Sequence, residues 1–346
     1  MAEVIVIGAG MAGSVAARTL RGAGHRVVVV DKGFAVGGRM AARTVDGARF
    51  NVGAQFLTAK SDAFRAMTDR WAEEGVLRTW FHGSPDLEAP RDPDGHPRMR
   101  GTPTMRGIVE HLSADLDVHL GQVVSAITLE QRRLAVHLSS RPTGTPARPT
   151  VPPAAVTSTL TADAILATMP VPQLRAVLAT SELTLDSTAE QRLAAATYEP
   201  CLTVLAVPTG PTALPARGAV RIPDGDVAWI TDHLTAGTST LPALTIHASA
   251  DYSRERFDAD AAQVRNELTR LAAPVLGTGA RGVHLHRWRY ATPTAELGAA
   301  PLVSYIGQAP IAVAGDAFKG GRVEGAALSG LEAAEALHAA LTDVAP

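Results

Sequence analysis

Val4-Ile5-Val6-Ile7-Gly8-Ala9-Gly10-Met11-Ala12-Gly13 opens the chain with four β-branched residues that run straight into a glycine turn. The run is too short for a helix and reads as a buried strand. A helical stretch follows to Gly22-Ala23-Gly24, and a second β-branched run, Val27 to Val30, ends in Asp31. Strand, glycine turn, helix, strand and acid within about thirty residues is a pattern whose mechanism is dinucleotide binding. Gly8 permits the tight turn, Gly10 leaves no Cβ between backbone and a pyrophosphate, and Gly13 lets the helix lie close on the strand. The free N–H groups and positive dipole end of the helix suit phosphate charge. Asp31 is placed to accept hydrogen bonds from an adenosine ribose. The bland alternative is a glycine turn that only packs a helix on a sheet.

The next residues, Lys32-Gly33-Phe34-Ala35-Val36-Gly37-Gly38-Arg39-Met40, add a second glycine pair followed by a cation. Open backbone and an arginine would reach the same pyrophosphate. NAD-dependent dehydrogenases do not need this addition. It looks like the GG-R element of flavoproteins of the amine oxidase kind, and it favours FAD over NAD as the tightly bound cofactor.

Length and composition narrow the class. A chain of 346 residues exceeds one typical domain of about 100–200 residues, so two lobes are expected. The formal net charge of −2 gives no electrostatic case for nucleic acid or membrane binding. Cys201 is the one cysteine, which excludes an intrachain disulfide or a Cys-based metal site and fits a reducing cytoplasm. No run reaches the roughly 20 apolar residues of a membrane span. The apolar N-terminus has no basic leader and is spent on the first strand, so no signal peptide is expected.

Further along, Phe50 to Thr58 reads as a short strand and turn whose small residues and amide could let a flat ring approach; a plain strand is the alternative. Ser61 to Gly75 has helical spacing with Ser61 as N-cap, and its aromatics belong to a core. His82 to Gly101 reads as a long loop, or as short strands around Asp94-Gly95. A strand–turn–strand is expected over Asp117 to Ile127, and the Pro/Thr-rich stretch 141–153 reads as a hairpin insertion without chemistry. Several strands between Cys201 and Ser249 suggest a mostly antiparallel sheet, followed by one long amphipathic helix from Ser253 to Leu276. His284 and His286 share a strand face, but two histidines make a poor site and no metal is expected. Near the C-terminus, Ile311 to Ala314 reads as a buried strand leading into Gly315-Asp316, a glycine loop and a helix over 323–340. Asp316 could accept from ribityl hydroxyls, and the helix N-terminus could serve a flavin edge or the pyrophosphate. The small residues of that helix also suit plain close packing.

With these blocks in hand, the chain resembles the renalase-like group of the FAD-dependent amine oxidase superfamily. The matching pieces are VIVIGAGMAG, GGRMAAR, FNVGAQFLT, GTPTMRGIVEHL, HASADYSRERF, HRWRYATP and VAGDAFKGGRVEGAALSG, in the family's order and spanning residues 4–330. The resemblance implies an α/β fold with a Rossmann-type FAD-binding domain of the p-hydroxybenzoate hydroxylase kind. The second domain would be an α+β substrate domain on a mostly antiparallel sheet. The expected boundaries are 1–62, 102–170 and 280–346 for the first domain, and 63–101 and 171–279 for the second. FAD would be held non-covalently. Its expected contacts are Gly8, Gly10, Met11, Ala12, Gly13, Asp31, Lys32, Gly38, Arg39, Met40, Gln55, Val124, Gly315, Asp316, Arg322, Val323, Glu324 and Ala327. Gln55, Tyr198, His247, Trp288 and Tyr290 would lie near the isoalloxazine face or the substrate. Tyr198, His247, Trp288 and Gln55 are the catalytic candidates, with His247 or Tyr198 orienting a substrate amide.

Bacterial members of that group are similar to enzymes that oxidise the 2- and 6-dihydro isomers of NAD(P) and pass the electrons to O2 as hydrogen peroxide. Expected partners are therefore a small dihydronicotinamide or amine and O2, with no nucleic acid and no membrane. One departure stands out. Where the family's Lys-Pro-Gly-Arg-like stretch belongs, between Trp229 and His247, this chain has Thr231-Asp232-His233-Leu234-Thr235-Ala236-Gly237-Thr238-Ser239. An amine oxidase or desaturase is the alternative with the same cofactor, and a flavin-binding redox protein without turnover is the alternative of another class.

Overall fold

The computed structural model describes residues 1–83, 86, 96–141, 156–298 and 300–343. The expected turn at Asp94-Gly95 and, except for Arg141, the insertion at 141–153 lie outside them. The chain forms two compact units, one of residues 1–38, 109–197 and 293–346, the other of residues 39–108 and 198–292. These limits differ from the expected ones. Residues 39–62 belong to the second unit, and the helices Val171–Thr180 and Ser187–Ala194 belong to the first.

The first unit is built on a six-stranded sheet, in spatial order Leu302–Ile306, Ala309–Val313, Ala164–Ala167, Glu3–Ile7, Arg26–Asp31 and Asp117–Leu120. Its pairings are parallel except at the Leu302–Ile306 edge. The strands are near-continuous apolar runs because both faces are covered. Val4, Val6, Val29, Leu166 and Ala312 pack with Leu20 of the helix Met11–Gly22 and Leu337 of the helix Val323–Asp343. Those two helices approach closely. A Cβ on Gly330 would stand 2.2 Å from the Ala12 carbonyl oxygen, so the small residues of the last helix serve a helix–helix contact. The strands Gln122–Glu130, Arg133–Ser140 and Ser158–Ala162 add an antiparallel three-stranded sheet.

The second unit holds a five-stranded sheet in the order Ala219–Arg221, Val227–Asp232, Leu244–Ala248, Tyr198–Pro208 and Ala280–Pro293. The first four strands pair antiparallel. One face, through Leu202, Val204 and Ile246, packs on the helix Ala261–Leu276. The other face, through Leu205, meets Phe50 of a hairpin formed by Ala42–Val45 and Ala48–Asn51, and Val52 just beyond it. The sequence reading missed that hairpin, although Asp46-Gly47, with φ of 50° and 82°, supplies the two left-handed residues of a tight hairpin turn. The single helix expected from Ser253 to Leu276 is two helices, Ala250–Arg256 and Ala261–Leu276. Asp260 divides them, because its carboxylate caps the N–H groups of Ala262 and Gln263 at 2.8 and 3.0 Å. Ser61 caps its helix as expected, accepting from Phe64 N–H at 3.3 Å. No helix among the described residues is long and apolar enough to cross a membrane.

The helix–helix contact yields a stability test. Gly330→Ala overpacks the Ala12 carbonyl and should destabilise the apoprotein by about 1–3 kcal/mol in urea unfolding followed by circular dichroism. Gly22→Ala meets no atom within 4 Å and lies in a helix, so it should be neutral or mildly stabilising. Equal effects of the two substitutions would contradict the packing described.

Candidate flavin and substrate site

In the first unit the glycine turn is shaped by its own backbone. Gly8 has φ of 114°, and its N–H donates to the Val30 carbonyl at 2.8 Å. The Thr168 hydroxyl donates to the carbonyls of Ile7 and Gly8 at 3.0 and 3.2 Å. A Cβ on Gly13 would stand 1.8 Å from the Gly8 oxygen, so packing alone demands that glycine. Gly10 is different. Its φ of −90° suits any residue, and a Cβ there would meet nothing nearer than the Gly38 Cα at 3.9 Å. The protein itself gives no reason for glycine at that position, whereas a ligand lying on the backbone does. Gly10 is also the N-cap of the first helix, with no side-chain cap and no acid in the first turn. Gly38 faces it with φ of 52°. The pair forms a side-chain-free cradle suited to a pyrophosphate.

Asp31 is held rigidly, since Ala9 N–H donates to its Oδ2 at 2.7 Å and Gly33 N–H to its Oδ1 at 2.5 Å. Each oxygen keeps a lone pair for a hydroxyl. Lys32 is exposed and donates to Gln173 Oε1 at 3.1 Å. Val124 is half-buried on its strand, and Met11 and Ala12 are buried. At the other expected contact region, Gly315 has φ of 147°, its N–H donates to Ser329 Oγ at 3.0 Å, and Asp316 is buried. Arg322 is exposed, and Val323 and Glu324 are half-buried. Glu324 places a carboxylate in the first turn of the last helix, so that end suits a phosphate less well than the Gly10 end. Ala327 is fully buried.

The second unit carries the remaining expected residues. Arg39 donates from Nη1 to the Ala291 carbonyl at 3.2 Å, and its own carbonyl accepts from Ala54 N–H at 2.9 Å. Met40 is buried. The site is organised by three consecutive carbonyls. Asn51 O accepts from Thr245 Oγ1 at 2.8 Å and from Gln55 Nε2 at 2.9 Å. Val52 O accepts from His247 Nε2 at 3.2 Å and from Trp288 Nε1 at 3.3 Å. Gly53 O accepts from Gln55 Nε2 at 2.9 Å. Three candidates chosen from sequence, Gln55, His247 and Trp288, therefore gather on residues 51–53. Tyr198 stacks edge-on against Tyr290, with ring centroids 5.7 Å apart.

These bonds fix chemistry. A carbonyl only accepts, so His247 carries its proton on Nε2. Desolvation lowers its pKa to about 4, partly opposed by the bond to Val52, which leaves a neutral imidazole near pH 7. Gln55 must turn its nitrogen to Asn51 O and Gly53 O, and its buried Oε1 is left with no hydrogen-bond partner among the described residues. The sequence reading did not find Thr168, Thr245 or His233. Thr168 ends a strand that was recognised, but nothing in its local pattern marks its hydroxyl. His284 and His286 have ring centroids 6.4 Å apart, and among the described residues no group of three or more His, Cys, Asp or Glu could hold a metal ion.

Comparison with known proteins follows the same lines. Residues 6–71 match an NAD(P)-binding Rossmann-like domain. The chain is 43% identical to the putrescine oxidase of Kocuria rosea over 76 residues, a stretch covering 22% of this chain and 16% of that protein. A structure described as a putative protoporphyrinogen oxidase from Exiguobacterium sp. 255-15 superposes with a TM-score of 0.69 at 12% identity, covering 97% of this chain and 98% of the other. A redesigned putrescine oxidase superposes with a TM-score of 0.68 at 14% identity over 98% and 99% of the two chains. At those identities the likeness is one of fold. Residues 94–338, well over half of the sequence, match the family described as flavin containing amine oxidoreductase, and to that family the chain belongs.

Proposed function

We propose that this chain is an FAD-dependent oxidase that takes hydride from a neutral dihydropyridine, the 2- or 6-dihydro isomers of NAD(P)H. The carrying observation is the make-up of the Asn51–Gly53 group. An amide, an imidazole kept neutral by burial and an indole gather there, with no carboxylate among them. A protonated diamine would call for an anionic partner, because a buried unpaired cation is costly. A carboxamide needs only neutral donors and acceptors. A dihydropyridine that loses hydride becomes a delocalised pyridinium, so no strong base is required.

FAD would be held non-covalently, its pyrophosphate on Gly10, Gly38 and the first turn of the Met11–Gly22 helix, its ribose on Asp31 and its ribityl chain toward Asp316. Bound flavin supplies two-electron acceptance from a C–H bond and return of the electrons to O2 as hydrogen peroxide. Gln55 would offer its Oε1, which has no partner among the described residues, to an N–H of the flavin ring. His247, fixed by Val52, and Tyr198 orient the substrate amide, and Trp288 and Tyr290 give apolar surface. A second reading, oxidation or desaturation of a small amine, draws on the likeness to putrescine oxidase.

Three outcomes are expected. In anaerobic stopped-flow mixing, the 2- and 6-dihydro isomers should bleach the flavin band while β-NADH does not, and air should restore it. Bleaching by putrescine or related amines instead would replace the first reading with the second, and no bleaching by any of them would overturn both. Gly10→Ala should fold with unchanged melting yet bind FAD about tenfold more weakly in a fluorescence titration; unchanged affinity would remove the cradle assignment. The third outcome concerns pH. His233 and His247 have pKa values lowered from 6.5 to about 3 and about 4. Below pH 6.5 the unfolded chain therefore binds protons that the folded one excludes. Melting temperature should fall as pH drops from 6.5 toward 4, and less steeply in His247→Gln.

A further inference from the structure

His233 lies in the stretch where this sequence departs from the family pattern, and it is fully buried. Its Nε2 is 2.8 Å from Thr245 Oγ1. The Thr245 hydroxyl gives its own hydrogen to Asn51 O at 2.8 Å, so it must accept from His233, and the imidazole proton sits on Nε2. Burial, with His247 and Arg100 nearby, lowers the His233 pKa to about 3 and keeps the ring neutral. The polarity of the relay is then fixed from His233 through Thr245 to Asn51. On its other side Asn51 is pinned by its Oδ1, which accepts from Met105 N–H at 2.9 Å.

The end of the relay is shared with Gln55, whose amide nitrogen donates to the same Asn51 carbonyl and to Gly53 O, both at 2.9 Å. If the amide were reversed, Oε1 would face two carbonyl oxygens, so the orientation of Gln55 depends on where those carbonyls stand. Gln55 is 5% exposed, and its Oε1 has no partner among the described residues. We propose that His233 and Thr245 are positioning residues that set the Asn51 carbonyl and, through it, the amide of Gln55 for contact with bound FAD. The inference rests on the reading of Gln55 as a cofactor contact and extends it to two residues that touch no cofactor.

Thr245→Val keeps the shape and removes the hydroxyl, Thr245→Ser restores the hydroxyl, and Gln55→Leu removes the amide on which Thr245 would act. FAD alone is the probe, with affinity read by fluorescence titration and the environment of the ring by its visible absorption spectrum. Thr245→Val should weaken FAD binding about tenfold and shift the flavin band, and Thr245→Ser should return both to within about twofold of the parent. In the Gln55→Leu background Thr245→Val should change neither, since coupled residues are not additive. Should Thr245→Val not fold, His233→Asn breaks the relay at its far end with the same expectation. Parental affinity and spectrum in Thr245→Val, or an equal effect with and without Gln55, would overturn the positioning role and leave the FAD reading standing. A parent protein that takes up no FAD would remove both.

Discussion

The approach of Gly13 to the Gly8 carbonyl is the constraint from which the first unit is built. With a Cβ position only 1.8 Å from that oxygen, no other residue lets the first helix sit on the first strand. That fit aims the helix N-terminus at the end of the strand and brings Gly10 opposite Gly38. It also sets the first helix where Gly330 can approach Ala12, so two helices and the central strands share one core. The same backbone economy that packs the unit leaves a surface with nothing but N–H groups and Cα atoms to offer a phosphate.

The second unit uses backbone in the opposite sense. Three consecutive carbonyls, Asn51, Val52 and Gly53, collect donors from Gln55, Thr245, His247 and Trp288. A turn segment just beyond a strand has carbonyls unspent on a ladder, and buried carbonyls seek donors. Gly53 is required there because a Cβ would stand 1.9 Å from the Arg39 carbonyl oxygen. The consequence is a polar group with fixed tautomers and little net charge, which suits positioning an uncharged substrate rather than strong acid–base catalysis.

The parts that were legible in the sequence are those written locally. Gly8, Gly10, Gly13 and Asp31 fall within one short unit, and Gly315-Asp316 follows its strand directly, so spacing alone led to them. The capping action of Ser61 was equally local. Part of what stayed hidden depended on long reach. Thr245 meets Asn51 across 194 positions, and no periodicity marks a hydroxyl whose partner is so distant. Asp260 divided an apparently continuous amphipathic helix because its carboxylate competes for backbone N–H groups, an effect that apolar spacing does not register.

The most direct measurement is the flavin released when the purified protein is precipitated with acid. Non-covalent binding on the Gly10–Gly38 cradle predicts a colourless pellet and a supernatant holding one FAD per chain, recognised by chromatography against FMN and FAD. FMN in the supernatant, flavin retained in the pellet, or no flavin at all would contradict the account.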